Sequence, residues 1–171
     1  NFFGEGITWM NDKLHQLTWQ KGKCFKYSFE NEEFLLLPED MTYYGEGWGL
    51  CNNGKELNIF DGSETIYFRD PESFVEIRII KVYNNLEHIP QLNELEYIDG
   101  KIYENVYQTN IVVGIDPETG KVWEMIRCDE LVRIGRGTNK QKLNGIAQND
   151  ADGKIYMTGK NWPRLFEIAF T

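Results

Sequence analysis

Histidine is nearly absent from this chain. His15 and His88 are the only two in 171 residues. Neither has a cysteine or carboxylate at ligand spacing, so the residue pattern provides for no catalytic zinc. Both read as surface or turn residues. Cysteine is scarce as well: Cys24, Cys51 and Cys128 form an odd set without C-x-x-C spacing, which excludes a zinc cluster or closed disulfide framework and leaves buried free thiols. No apolar run approaches the ~18 residues that span a bilayer, and the longest, such as Phe34 to Leu37, are of strand length. Lys and Arg do not cluster and the net charge is -9, which argues against nucleic acid and anionic membrane as partners. There is no G-x-S-x-G, no P-loop and no G-x-G-x-x-G; Gly45-Glu46-Gly47-Trp48-Gly49 lacks the Lys-Ser/Thr pair that holds a phosphate and its metal. The sequence starts at Asn1 without a methionine or signal-like segment, as expected of a trimmed or processed product.

What is present is apolar and aromatic. Hydrophobic residues make up 41% and aromatic residues 14%, enough for one folded domain over residues 1–171. The apolar residues alternate, as in Ile66-Tyr67-Phe68-Arg69 and Val75-Glu76-Ile77-Arg78-Ile79, which predicts short strands throughout. The nearest approach to a helical pattern, Asp129 to Lys142, reads as a loop. The fold class is therefore all-β.

The strands repeat. Asn11-Asp12-Lys13-Leu14, Asn53-Gly54-Lys55-Glu56-Leu57, Asp99-Gly100-Lys101-Ile102-Tyr103 and Asp152-Gly153-Lys154-Ile155-Tyr156 each place a tight turn, built for positive φ, before a strand. Their lysines lie 42, 46 and 53 positions apart, near the ~40–50 residues of a four-stranded propeller blade. Before each turn comes a candidate innermost strand: Gly4-Glu5-Gly6-Ile7, Gly45-Glu46-Gly47-Trp48, Asn93-Glu94-Leu95-Glu96 and Asn144-Gly145-Ile146-Ala147. Asp70-Pro71-Glu72 and Asp116-Pro117-Glu118-Thr119-Gly120 read as turns between outer strands. The last repeat stops after about three strands. Four repeats close a ring only with strain, so they fit a larger ring of which this chain supplies part.

The remaining chemistry lies in carboxylates that begin the inner strands: Glu5, Glu46, Glu94 and Glu96. Some are flanked by glycine, which lets backbone or ligand approach. A carboxylate in an aromatic pocket has its pKa raised by desolvation, so it can accept and return a proton near neutral pH. Phe3 and Trp19 accompany Glu5, and Trp48 follows Glu46 by two. From pattern alone these rings serve equally well as packing between blades. Lys160, in Thr158-Gly159-Lys160-Asn161-Trp162-Pro163, occupies a polar break at a strand end.

Taken in order, Phe3-Gly4-Glu5-Gly6-Ile7-Thr8, Leu17-Thr18-Trp19, Gly45-Glu46-Gly47-Trp48-Gly49-Leu50, Asp61-Gly62-Ser63, Leu92-Asn93-Glu94-Leu95-Glu96, Asn105-Val106-Tyr107-Gln108-Thr109, Ile115-Asp116-Pro117, Leu143-Asn144-Gly145-Ile146-Ala147 and Thr158 to Pro163 resemble the motif series of the propeller-type glutaminyl cyclases of plants and bacteria. That resemblance implies a five-bladed β-propeller, of which this chain supplies about four blades. It implies a zinc-independent glutaminyl-peptide cyclotransferase that converts N-terminal glutamine of peptides and proteins to pyroglutamate with release of ammonia. Residue by residue, it makes Glu5 the proton shuttle, Phe3, Trp19 and Trp48 an aromatic box, and Asn93 and Lys160 hydrogen-bonding groups for the substrate. Tyr107 stands where the family usually has tryptophan. Glu46 and Glu94 become supporting or channel groups. The family's opening blade, with its Phe-Thr-Gln-Gly-like motif, has no counterpart here: either that blade is cut away or carried on a separate fragment, or this is a divergent member that closes its ring differently. A secretory, extracellular or periplasmic location follows from the resemblance alone. No cofactor is expected for catalysis; a structural ion is expected where carbonyls and glutamates converge in the central channel.

Two other readings stay open on the residues. A five-bladed glycosidase would use paired acids such as Glu5 and Glu94, and a non-catalytic propeller would bind peptides through its aromatic mouth.

Overall fold

The computed structural model describes residues 1–39, 41–85, 87–138 and 141–170. Four antiparallel sheets follow one another along the chain, each one blade. The first contains β1 (Gly4–Met10), β2 (Lys13–Thr18), β3 (Lys23–Glu30) and an outer edge split into β4 (Glu33–Leu36) and β5 (Met41–Thr42), both paired with β3. The second is β6 (Leu50–Asn52), β7 (Leu57–Phe60), β8 (Thr65–Arg69) and β9 (Glu76–Lys81), followed by a small hairpin of β10 (Tyr83–Asn84) and β11 (Glu87–His88). The third is β12 (Leu92–Ile98), β13 (Lys101–Val106), β14 (Ile111–Ile115) and β15 (Val122–Arg127). After α1 (Asp129–Gly135), the fourth has three strands, β16 (Leu143–Gln148), β17 (Ile155–Gly159) and β18 (Phe166–Ile168).

The turns are those the sequence predicts. Asn11 and Asp12, and Asp99 and Gly100, take positive φ between the first two strands of their blades, as does Gly54 in the second and Gly153 in the fourth. Between outer strands, Asp70 Oδ1 accepts the N–H groups of Glu72 and Ser73, and Asp116 Oδ1 those of Glu118 and Thr119. An Asp-Pro pair thus closes the hairpin by side chain as well as by backbone.

Period-two alternation gives each blade two faces, and the buried residues fall into three seams. Met10, Leu17, Cys24 and Met41 of the first blade meet Leu50, Leu57, Ile59 and Phe74 of the second. Phe60, Ile66 and Phe68 meet Leu92, Leu95 and Val113 between the second and third. Ile98, Tyr103 and Val112 meet Leu143, Ile146 and Met157 between the third and fourth. Three seams join four blades in a propeller-like arrangement, and burial of these apolar faces is what holds the sheets together.

Three readings of the sequence need correction. The stretch from Asp129 begins as a helix, not a loop; with seven residues and only Val132 and Gly135 buried, it shows no helical stripe to read. Asn139 and Lys140 of that stretch lie outside the described residues. His15 is no surface residue: it is 1% exposed, in the seam beside Lys26, which bonds Glu72 of the next blade at 2.8 Å. Desolvation and then the Lys26 charge hold its pKa below the ordinary histidine value, so it is neutral at pH 7. His88 is exposed, and the three cysteines are buried and free. The third correction is one of register, described with the site. Among the described residues no helix is long and apolar enough to cross a membrane.

Candidate functional site

The innermost strands of the first, third and fourth blades carry a β-bulge at the same place. Register shifts put Glu5 and Gly6 opposite Leu17, Asn93 and Glu94 opposite Asn105, and Asn144 and Gly145 opposite Thr158. In the second blade Phe60 accepts from the Trp48 N–H at 2.8 Å and donates to the Gly49 carbonyl at 3.1 Å, so Trp48 and Gly49 share one partner in the same way. A bulge interrupts alternation and re-aims its side chains. The first bulge position of the four blades therefore reads Glu5, Trp48, Asn93 and Asn144. The second reads Gly6, Gly49, Glu94 and Gly145. At Gly49 an added Cβ would collide with the Asn93 carbonyl, and at Gly6 it would lie 2.5 Å from the Leu50 nitrogen. Glycine there lets inner strands meet near the axis.

This register differs from the one suggested by the two Gly-Glu-Gly segments. Trp48, not Glu46, is the counterpart of Glu5, because Leu50 is fixed opposite Ile59 by its burial in the first seam. Glu46 lies two residues earlier, before β6.

A second ring of positions lies just past the second strand of each blade. The N–H groups of Trp19, Tyr107 and Lys160 donate to the carbonyls of Phe3, Gln91 and Lys142, closing equivalent turns. Gly62 holds that place in the second blade. Its φ is +84°, and an added Cβ would lie 2.7 to 2.9 Å from the Trp48 ring, which covers it.

The two rings of positions meet in one cavity of about 210 Å³, lined by Phe3, Glu5, Trp19, Trp48, Asn93, Tyr107 and Lys160. All seven residues singled out in the sequence are brought together here. Phe3 and Trp19 are 6.1 Å apart between ring centroids, Trp48 and Tyr107 5.6 Å, both edge to face, and the Lys160 Nζ stands 5.9 Å from the Tyr107 centroid. Burial raises the Glu5 pKa above the ordinary carboxylate value, and the Lys160 charge pulls partly against it. Glu5 is the only acid among the lining residues.

The other inner-strand acids do different work. Glu46 Oε2 accepts the indole N–H of Trp19 at 2.8 Å and of Trp48 at 2.9 Å, and its Oε1 accepts from Gln20 at 3.1 Å. These bonds, Trp48 first, lower its pKa. Glu94 is partly buried; desolvation lifts its pKa to about 8, and it accepts the Ile146 N–H at 2.8 Å. Glu96, lifted by desolvation to about 7, accepts the Gln148 N–H at 3.4 Å. With Asn105, which accepts the Gly145 N–H at 3.0 Å, they tie the fourth blade to the third. Glu94 is not among the residues lining the cavity that holds Glu5. Among the described residues no three of His, Cys, Asp or Glu are grouped to hold a metal ion.

Fold and site together define a propeller-like protein with a single acid in an aromatic cavity. The glutamine cyclotransferase family model matches residues 1–170. Glutaminyl-peptide cyclotransferase of Arabidopsis thaliana is 34% identical over 174 residues, covering 98% of this chain and 52% of the relative, so the chain spans about half the length of that curated protein. The crystal structure of Myxococcus xanthus glutaminyl cyclase superposes with a TM-score of 0.90 at 36% identity, covering 98% of this chain and 72% of that one. The computationally designed Ika4 protein shares the fold alone, with a TM-score of 0.55 at 9% identity over 99% of this chain and 93% of its own. This chain belongs to the glutamine cyclotransferase family.

Proposed function

We propose that the protein containing this chain is a glutaminyl-peptide cyclotransferase, and that the cavity around Glu5 is its active site. The observation that carries this reading is Glu5 itself, half-buried, its pKa raised by desolvation, in a cavity it shares with four aromatic rings and one cation, Lys160. The reaction is intramolecular. The α-amine of an N-terminal glutamine attacks its own side-chain carbonyl carbon, forming the ring C–N bond. Glu5 takes one proton from that amine and delivers it to the departing amide nitrogen, which leaves as ammonia when the old C–N bond breaks. The proton count closes on Glu5 without any other base. Phe3, Trp19 and Trp48 hold the apolar stem of the glutamine in a reactive fold, where positioning supplies much of the rate. Asn93 and Lys160 offer N–H donors to the oxygen that becomes an oxyanion. Tyr107 keeps a ring in the wall and adds a hydroxyl, so this chain's preference among neighbouring residues of the peptide is set partly there.

The test is incubation with a peptide bearing N-terminal glutamine, with ammonia and the cyclised product measured. Tight binding without ammonia release would leave only a peptide-binding propeller.

We further propose that the whole protein closes its ring with a fifth blade. The first blade buries one face in its seam with the second, but Phe2, Ile7, Trp9, Phe29 and Phe34 are each roughly half exposed, and Phe34 contacts both Phe29 and Trp9. An apolar sheet face of that kind calls for a covering sheet, and the relatives have chain to spare. The covering blade, on this chain or a separate fragment, should abolish binding of a fluorescent apolar dye that residues 1–171 alone display. Equal dye binding with and without the additional chain defeats the proposal.

A further inference from the structure

We infer that Glu46 is a positioning residue that closes the aromatic cage by clamping the indoles of Trp19 and Trp48 across the seam between the first two blades. This rests on the proposed active site, and it assigns a task to a residue that does not line the cavity.

Trp19 stands just past β2 and Trp48 in the bulge before β6; the Gly47 N–H donates to the Trp19 carbonyl at 2.9 Å, which ties the two backbones together but leaves the side-chain torsions of both rings open. A ring at such a place is free about two side-chain torsions unless its edge is held. The indole nitrogen is a donor only, and both indoles donate to the same oxygen of Glu46, at 2.8 and 2.9 Å, while Gln20 donates to the other oxygen. A single ionised carboxylate therefore gathers three donors from both sides of the seam, and hydrogen bonds to an ionised acceptor are the stronger kind.

The clamp also decides what the cage offers a ligand. With both N–H groups turned to Glu46, the two tryptophans present carbon to the cavity, and the polar groups left inside are those of Glu5, Asn93, Tyr107 and Lys160. A loosened indole would swing its donor into the cage and compete for the substrate's amide oxygen.

Leucine at position 46 is the discriminating replacement. It is similar in size but has no acceptor atom, so both indoles and Gln20 lose their partner, whereas glutamine would keep the one oxygen that the two indoles share. Position 46 lies on a surface segment, so thermal melting should change little and serves as the folding control. The experiment is indole N–H resonance spectroscopy of the protein, with Trp19→Phe and Trp48→Phe to assign the two signals among the five tryptophans, joined to kinetics on a peptide with N-terminal glutamine. In the native protein these two protons should resist exchange with water. In Glu46→Leu both should exchange faster, and KM should rise about tenfold while kcat stays within about twofold. Unchanged indole exchange, or faster exchange with unchanged KM, overturns the inference. If the native protein releases no ammonia, the catalytic reading falls separately; the Kd of the same peptide, followed by tryptophan fluorescence, then replaces KM and decides the clamp alone.

Discussion

Glu5 and Trp48 occupy the same position of neighbouring blades, each the first residue of the bulge in its innermost strand. One repeat supplies the acid and the next a wall of the cage around it, from a common backbone geometry. Trp19, Tyr107 and Lys160 are related in the same way one strand further on. The cavity is thus a differentiated ring of repeat positions, and predictions follow from what each position does.

Glu5→Gln removes the carboxyl group of the proposed proton shuttle and keeps its size. Activity on peptides with N-terminal glutamine should fall by about 10² to 10⁴, the usual worth of a placed general acid–base. The melting temperature should hold or rise slightly, because a half-buried acid is exchanged for a neutral group. A retained rate measured by ammonia release would reject Glu5 as the shuttle.

Lys160→Met takes away the charge that lowers the Glu5 pKa and leaves the desolvation that raises it. The Glu5 pKa should then rise further. Because the base form of Glu5 is needed in the free enzyme, the acid limb of the kcat/KM profile should move to higher pH. An acid limb that stays in place, or moves down, contradicts the assignment.

Stability should fall as pH rises above the acid range. Glu94 and Glu96 bind their protons more tightly folded than unfolded, with folded values of about 8 and about 7 against 4.5. Their contribution is fully present below pH 4.5 and is lost as pH rises through 7 and 8. Between pH 5 and 8 the melting temperature should drop by several degrees, and Glu94→Gln, which can still accept the Ile146 N–H, should flatten the slope. A slope unchanged in that variant would refute the linkage.

Gly62→Ala should cost more than Gly54→Ala. Both glycines have positive φ, so both replacements carry the backbone strain of about 1 kcal/mol. Only at Gly62 does the new methyl meet the Trp48 ring. Chemical denaturation should show an extra loss of about 1 kcal/mol or more at Gly62, together with a raised KM that Gly54→Ala lacks.

Much of this was legible in the chain, for definite reasons. The four turns before the second strands were readable because positive φ restricts residue choice to pairs such as Asp-Gly, whatever the rest of the fold does. The all-β class followed from alternation. Phe3, Glu5, Trp19, Trp48, Asn93, Tyr107 and Lys160 were legible as a set through the motifs they sit in. The helix at Asp129–Gly135 was not, being too short to show a period, nor was the burial of His15, since a strand residue faces in or out by register. Glu46 was visible as an acid beside a tryptophan, but its hold on Trp19, 27 positions away, depends on how two blades meet. The duty of Gly62 is likewise defined by the ring that lies over it.

The sequence by itself determined the local events: where the chain turns, which residues alternate into a sheet face, and how often the unit repeats, since each depends on backbone conformations open to a few neighbouring residues. Only the tertiary structure decided which side chains share the cavity, because that depends on bulges set by buried pairs such as Leu50 and Ile59 and on the close approach of strands at Gly6 and Gly49. Contacts across seams are matters of packing between distant segments, and packing is settled when apolar faces close on one another.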